Sequence, residues 1–342
     1  MAKNRTVTPE ITEINLSIKI EGLWRENNVF EWKLNPDVNI LSGANGSGKS
    51  TVLRILYAVL TDDSTALRGV KTTFYHENQE EPERFSIAVY YEFRKIILQF
   101  NDHKQVVDGR GVIPTSQFSK IPIKATSLHV DFSASLDQNT VSREDIQSVS
   151  NQNKHIRSQL DFDLYHHQAR YTKYLLWISK RVEKAYQSKE KVEEKLGEIY
   201  AKKTLFFEII DRLFAETNKK IDRGNDEIQF IKGEDAVLTA YHLSTGEKQI
   251  LLMLLKALLQ NNFHSIYLLD EPEISLHPDW QESLIDNIRI LNPNAMLIIA
   301  THSPDIFVNG WMDKVVDMRD LLKQITPLTN NEQANLSNKI KT

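Results

Sequence analysis

The sequence predicts an α/β fold with a mixed sheet, antiparallel at its N-terminal end, and a helical insertion. Three observations predict it. Val38–Leu41 is a short, mostly apolar run that passes into a glycine-rich loop and then a helical pattern, Ser50 to Leu60. Ser265–Leu269 and Met296–Ala300 are two more apolar runs, with the composition of strands buried on both faces. From Lys154 to about Lys220 the hydrophobic period becomes that of helices.

Taken in order, Ile14, Leu16, Ile18 and Ile20 alternate with polar residues, as do Phe30, Trp32 and Leu34, which predicts antiparallel strands ahead of the glycine loop. Phe85 to Tyr91 and Lys95 to Phe100 predict a hairpin turning at Phe93-Arg94. Residues 61–82 and 101–122 read as polar loops, and Ser133 to Asn153 as a polar, irregular stretch. In the helical region, Tyr171, Tyr174, Leu175, Ile178, Val182 and Ala185 form one stripe; Val192, Leu196 and Ile199 form a second; Phe206, Ile210, Leu213 and Phe214 form a third. The charged run Lys189–Lys195 predicts an exposed helix end. Glu227–Lys232 and Ala236–Tyr241 predict a second hairpin. The domain division expected is 1–153, a helical insertion 154–224, and 225–342, the outer two forming one discontinuous domain.

The glycine loop reads Gly43-Ala44-Asn45-Gly46-Ser47-Gly48-Lys49-Ser50-Thr51 and fits G-x-x-x-x-G-K-[ST] in full. Glycines let successive N–H groups turn toward an anion. Lys49 adds a point charge for phosphates, Ser50 a hydroxyl for Mg2+, and the helix N-terminus faces the bound anion. These residues predict binding of a nucleoside triphosphate with Mg2+. Far downstream, the apolar strand ends in Asp270-Glu271-Pro272-Glu273. A carboxylate at the C-terminal end of a buried strand lies where open α/β sheets bind ligands. Asp270 is placed to hold Mg2+ and Glu271 to polarise the attacking water.

Between these two motifs lies Leu243-Ser244-Thr245-Gly246-Glu247-Lys248-Gln249, followed by an apolar helix. Here the chain resembles the ATP-binding-cassette (ABC) ATPases, whose signature reads LSGGQ in transporters and LS-x-GE-x-Q in soluble members. The resemblance implies an ABC-type head in which ATP is held between two copies of the chain. Ser244, Gly246 and Glu247 of one copy would then serve the nucleotide on the other's P-loop, so the partner implied is a second copy, head to head. Two further segments fit the same order. Ser275-Leu276-His277-Pro278 stands where the family has its D-loop. Thr301-His302-Ser303-Pro304 stands at the switch loop, which would make His302 the sensor of the γ-phosphate. The Q-loop glutamine has one candidate, Gln138 after the strand Thr126–Val130. Trp24 is open to two readings, an adenine-stacking platform or a core residue.

Composition narrows the class. With 342 residues and 41% hydrophobic content the chain can bury a sizeable core, and a net charge of −4 carries no polycationic signature. Cysteine is absent, which excludes disulfides, thiol nucleophiles and zinc–thiolate sites. An apolar leader and a run of 18 apolar residues are both missing, so the expectation is a soluble cytoplasmic protein without membrane contact. Residues 154–223 hold 16 Lys/Arg against 11 Asp/Glu. That mildly basic lobe suits an acidic partner or nucleic acid. Equally, it is a solvated surface of mixed i,i+4 pairs. His155, His166 and His167 lack acidic companions at metal-ligand spacing and read as helix-surface residues.

The insertion of about 65 residues allows paired helices of roughly 50 Å at most, a lobe rather than the long coiled coil of SMC proteins. Transporter subunits fit poorly, given the Thr245-Gly246-Glu247-Lys248 wording. The strings Asp270-Glu271-Pro272-Glu273, Ser275–Pro278 and Ala300–Pro304 look most like the soluble OLD-type group, which includes ATPase subunits of anti-phage systems such as PtuA of Septu. About 38 residues follow Pro304, too few for the TOPRIM nuclease of full OLD proteins. The resemblance therefore implies a separate effector, such as a nuclease, switched by the ATPase. A RecF/SMC-like repair ATPase that clamps DNA is the alternative.

Overall fold

The computed structural model describes residues 14–61, 71–77, 85–91, 95–100, 103–108, 129–133, 143–150, 153–234, 236–260 and 263–324. The chain divides into two compact units, Met1–Pro36 with Leu41–Thr126 and Val316–Thr342, and Asp37–Ile40 with Ser127–Val315.

In the first unit, β1 (Leu16–Glu21) and β2 (Asn28–Lys33) pair antiparallel, with Ile18 opposite Trp32 and Ile20 opposite Phe30. The strand β3 (Val38–Ser42) passes from the second unit into the first and leads into α1 (Lys49–Thr61). Next come β4 (Lys71–Glu77), β5 (Phe85–Tyr91), β6 (Lys95–Phe100) and β7 (His103–Asp108). The alternation in β1 buries Leu16, Ile18 and Ile20, and that in β6 buries Ile96, Leu98 and Phe100, so one face of this sheet is apolar. Its order is β15-β2-β1-β6-β7, where β15 is Leu322–Gln324.

Two expectations are corrected here. Phe85–Tyr91 and Lys95–Phe100 do not form a hairpin: β5 pairs with β4, and β6 pairs with β1 and β7. The supposed loops at 61–82 and 101–122 contain β4 and β7. Polar strands such as His103–Asp108 lack the alternation that marks a half-buried strand, and adjacency in sequence is a weak guide to pairing.

The second unit begins with β8 (His129–Ser133) and α2 (Arg143–Ser150), which lies in the stretch expected to be irregular. Two long helices follow, α3 (Gln159–Ser188) and α4 (Val192–Leu213). Lys189 and Lys191, at φ 55° and 46°, break the helix between them in the charged run. Ser158 caps α3 through a reciprocal pair with Asp161. The strands β9 (Lys219–Ile221), β10 (Gln229–Lys232) and β11 (Ala236–Thr239) make a small antiparallel sheet. Helix α5 (Thr245–Leu259) is buried on every side from Ile250 to Leu258. The main sheet has the order β14-β3-β13-β12-β8, with β12 (Ser265–Asp270) parallel to both β13 (Ala295–Ala300) and β8. Every residue of β12 and β13 is buried, as expected of parallel strands covered on both faces. The second unit also holds α6 (Pro278–Leu291); β14 (Val315–Asp317) leads out of it, and α7 (Met318–Leu321) belongs to the first unit. One apolar core joins Ile40, Tyr171, Phe206, Phe214, Leu254 and Tyr267.

Candidate functional site

The glycine loop belongs to the first unit and has the backbone its sequence demands. Gly43, Gly46 and Gly48 all have positive φ, at 150°, 76° and 95°. Only glycine adopts such angles without strain. Nothing lies within 4 Å of where a side chain on Gly46 would start, so the loop crest is open. Gly43 is held by Met318, whose Cβ lies 3.2 Å from a Cβ built there. A Cβ on Gly48 would overlap the Trp24 indole. Trp24 is 37% exposed, which rules out the core reading and places it against the loop. Lys49 is buried, and its Nζ donates to the carbonyls of Gly43 (2.9 Å) and Ala44 (3.2 Å). The Ser47 hydroxyl is buried and makes no hydrogen bond among the described residues. Ser50 and Thr51 form the first turn of α1. A glycine cradle, a buried ammonium and an unsatisfied hydroxyl fit a polyphosphate chemically.

The other sequence-derived residues belong to the second unit. Asp270 ends β12 and is buried. Glu271 follows at φ 47°, a conformation that favours glycine, with its N–H donating to the Ala300 carbonyl at 2.8 Å. Such local strain is often found at functional positions. His302 follows β13, and its Nδ1 lies 3.2 Å from Glu273 Oε1 and 3.9 Å from Glu271 Oε1. The same Glu273 oxygen accepts from Thr301 Oγ1 (2.7 Å) and from the His302 N–H (3.1 Å). Sequence reasoning assigned Glu273 no role. The available signal was its third position after the strand's aspartate, on a turn that faces the next parallel strand.

The signature segment is built around a capping box. Ser244 Oγ accepts from the Glu247 N–H, and Glu247 Oε2 accepts from the Ser244 N–H. Glu247 Oε1 accepts from Thr217 Oγ1 (2.9 Å) and Lys219 Nζ (2.5 Å). Burial would raise this carboxyl, but the bonds from Lys219, Ser244 and Thr217 outweigh it and hold it below its usual value. Glu247 was expected at the nucleotide. Its carboxylate instead points inward with both oxygens engaged, so within this chain it is a cap. Lys248 ion-pairs with Asp161 at 2.7 Å. Adjacent residues of the signature helix therefore bind the start of α3 and the chain leaving α4. Gly246 is buried against the Ser275 backbone, and Ser275 itself has φ 68°. Gln249 donates to the Pro272 carbonyl at 3.1 Å, tying the signature helix to the Asp270–Glu273 turn.

Gln138 lies outside the described residues. Of the three histidines, His166 is exposed, His155 precedes α3 and stacks on Tyr241, and His167 is buried rather than on the surface. Among the described residues no group of acidic and histidine side chains could hold a metal by itself, and no helix is long and apolar enough to cross a membrane.

Residues 38–309 match the model of a protein family described as "AAA domain, putative AbiEii toxin, Type IV TA system". The chain belongs to this family. That AAA-domain match spans the glycine loop, the signature, Asp270 and His302. Among curated relatives, the Retron Vc95 probable ATPase of Vibrio cholerae serotype O1 biovar El Tor is 24% identical over 174 residues, 42% of this chain and 34% of the relative. The Retron Ec83 probable ATPase of Escherichia coli is 30% identical over 101 residues, 26% of this chain and 18% of the relative. The alignments thus take in about a third or less of those proteins' lengths. Among solved structures, the Smc head domain bound to the C-terminal domain of ScpA, derived from Pyrococcus furiosus, is 16% identical with a TM-score of 0.47, covering 96% of this chain and all of the other. The SMC head domain from Thermotoga maritima is 13% identical with a TM-score of 0.39, covering 90% and 94%. The AAA-domain match fits the P-loop ATPase fold described above.

Proposed function

We propose that this protein is a Mg2+-dependent ATPase that pairs head to head with a second copy and switches a separate effector protein in anti-phage defence. The observation that carries the ATPase reading is the loop from Gly43 to Ser50, with three glycines at positive φ and a buried Lys49 folded over its carbonyls. The loop amides and Lys49 bind the phosphates, and Trp24 stacks on the base. Ser50 and Asp270 would offer oxygens to Mg2+, which would supply charge neutralisation on the phosphates. Glu271 takes the proton of the attacking water, and His302 contacts the γ-phosphate. Ser244 and Thr245 are exposed at the N-terminus of α5, available to a nucleotide on the second copy. ATP binding closes the pair and hydrolysis reopens it, a two-state switch.

The defence role rests on the wording of the Asp270–Glu273 and Thr301–Pro304 motifs, and the ATPase part is in keeping with relatives named retron probable ATPases. The effector, a nuclease or toxin, reads the open or closed state. The test is purification of the tagged Glu271→Gln protein with ATP from its own cells. A stoichiometric protein partner supports effector control; recovery of DNA alone would replace it with the DNA-clamp reading. One observation favours that second reading, the exposed cations Lys173, Lys180 and Arg181 on α3. Against it, Lys202 and Lys203 are half-buried, which leaves their ammonium groups less available to a phosphate backbone.

A further inference from the structure

Glu273 is buried, and two donors converge on one of its carboxylate oxygens, with a ring nitrogen beside them. Oε1 receives the Thr301 hydroxyl at 2.7 Å and the His302 N–H at 3.1 Å, with His302 Nδ1 at 3.2 Å. Its other oxygen, Oε2, is buried with no hydrogen-bond partner among the described residues. Leaving a buried carboxylate oxygen bare is costly, so its orientation is set by what Oε1 holds. The loop it grips is fixed on each side. Ser303 N–H donates to Thr301 Oγ1 at 3.0 Å, and Ser303 Oγ donates to Gln281 Oε1 at 2.8 Å. Gln281 in turn donates to the Leu276 carbonyl at 3.0 Å.

A bare ring nitrogen facing a carboxylate oxygen at this distance would set two lone pairs against each other. A proton on Nδ1 is therefore favoured beside this carboxylate. Glu271 Oε1 lies farther from the same nitrogen, at 3.9 Å, so Glu273 is the nearer carboxylate. We infer that Glu273 is the positioning residue for His302: its carboxylate grips the backbone N–H of His302, lies beside Nδ1, and so presents Nε2, across the ring, to the reactants. The logic is that of a carboxylate orienting a catalytic or metal-bound imidazole. The turn Asp270–Glu273 thereby carries three carboxylates. Asp270 and Glu271 face the reaction, and Glu273 reaches across to the neighbouring strand's loop and sets its histidine.

The consequence for turnover rests on the ATPase reading; the ring state does not, and the experiment separates them. Two-bond nitrogen–proton NMR spectra of 15N-histidine protein, with His302→Ala to assign the signal, report which ring nitrogen carries the proton. The expected result is a proton fixed on Nδ1 in the wild type and a mixed or Nε2–H pattern in Glu273→Gln. A wild-type Nε2–H ring, or an unchanged pattern in Glu273→Gln, overturns the proposal. The wild-type spectrum decides alone if the variant fails to fold. In ATP hydrolysis, Glu273→Gln is expected to lose about 10- to 100-fold in kcat with little change in KM, as for other residues that orient an imidazole. The double variant with His302→Ala should be no slower than His302→Ala alone. Multiplying losses would show that Glu273 does not act through His302. Absence of ATP hydrolysis in the wild type would refute the ATPase reading, and the spectrum would still decide the role of Glu273.

Discussion

Gly246 lies so close to the carbonyl of Ser275 that a Cβ on residue 246 would overlap it. The glycine of the signature is thus needed inside its own chain, whatever it does for a nucleotide. Gly246→Ala must push apart the start of α5 and the turn after Glu273, both backbone, with no flexible side chain to yield. Overpacking of this kind costs about 1–3 kcal/mol. Urea unfolding of the purified variant measures it, and an unchanged midpoint would show that the two segments separate easily.

Glu247 and Lys219 make a buried ion pair that ties the signature helix to the chain leaving α4. Lys219→Met leaves the carboxylate buried without its cation, a change that costs about 3–5 kcal/mol at such sites. Lys219→Arg should keep most of the stability. Equal stability of the Met variant and wild type would remove the pair as a structural tie.

His167 gives a pH dependence with a definite sign. Burial pushes it well below the usual histidine value of 6.5, helped by the Lys256 charge and opposed by its bond to the Asp163 carbonyl. Nδ1 lies 2.8 Å from that carbonyl and Nε2 3.1 Å from the Arg170 guanidinium, which suits a neutral ring donating at Nδ1 and accepting at Nε2. In the folded protein the ring stays neutral as pH falls below 6.5, while the unfolded chain takes up the proton. Stability is therefore full above this pH and falls below it, by at most about 1.4 kcal/mol per pH unit, until the folded form also protonates. Denaturation curves from pH 7.5 to 5 should show the slope, flattened in His167→Asn. A slope that persists unaltered in that variant would place its origin elsewhere.

Trp24 and Lys49 flank the same glycine loop but should fail differently. Lys49→Ala removes the phosphate charge and the ties to the Gly43 and Ala44 carbonyls, so nucleotide affinity should fall by at least about tenfold. Trp24→Ala removes a stacking surface worth about 1–3 kcal/mol, raising the ATP dissociation constant while sparing kcat. Competition with a fluorescent ATP analogue distinguishes the two. If Trp24→Ala leaves affinity unaltered, the indole is a prop for Gly48 and no more.

Much of the architecture was legible because its elements carry strong periods. The apolar runs ending at Asp270 and Ala300 are β12 and β13, and the stripe from Tyr171 to Ala185 is the buried face of α3. The break in the lobe falls at Lys189–Lys191, where charge density rose and apolar residues vanished. Polar elements stayed hidden. His103–Asp108 and Arg143–Ser150 carry no marked apolar period, and the pairing of β6 with β1, about 75 residues apart, is a long-range choice that no local pattern encodes. Motif wording picks out candidate residues but carries no direction for their side chains. Glu247 turned inward because Thr217 and Lys219 wait there, and Glu273 reached His302 only because β12 and β13 are neighbours.

The central claim is that the chain hydrolyses ATP with Glu271 as the base. Hydrolysis of radiolabelled ATP in Mg2+, compared between wild type and Glu271→Gln, tests it most directly, with nucleotide binding measured on the same samples. The account predicts turnover by the wild type, and a variant that binds ATP as well but turns it over about 10²- to 10⁴-fold more slowly. Equal rates in the two proteins, or no ATP binding by either, would contradict it.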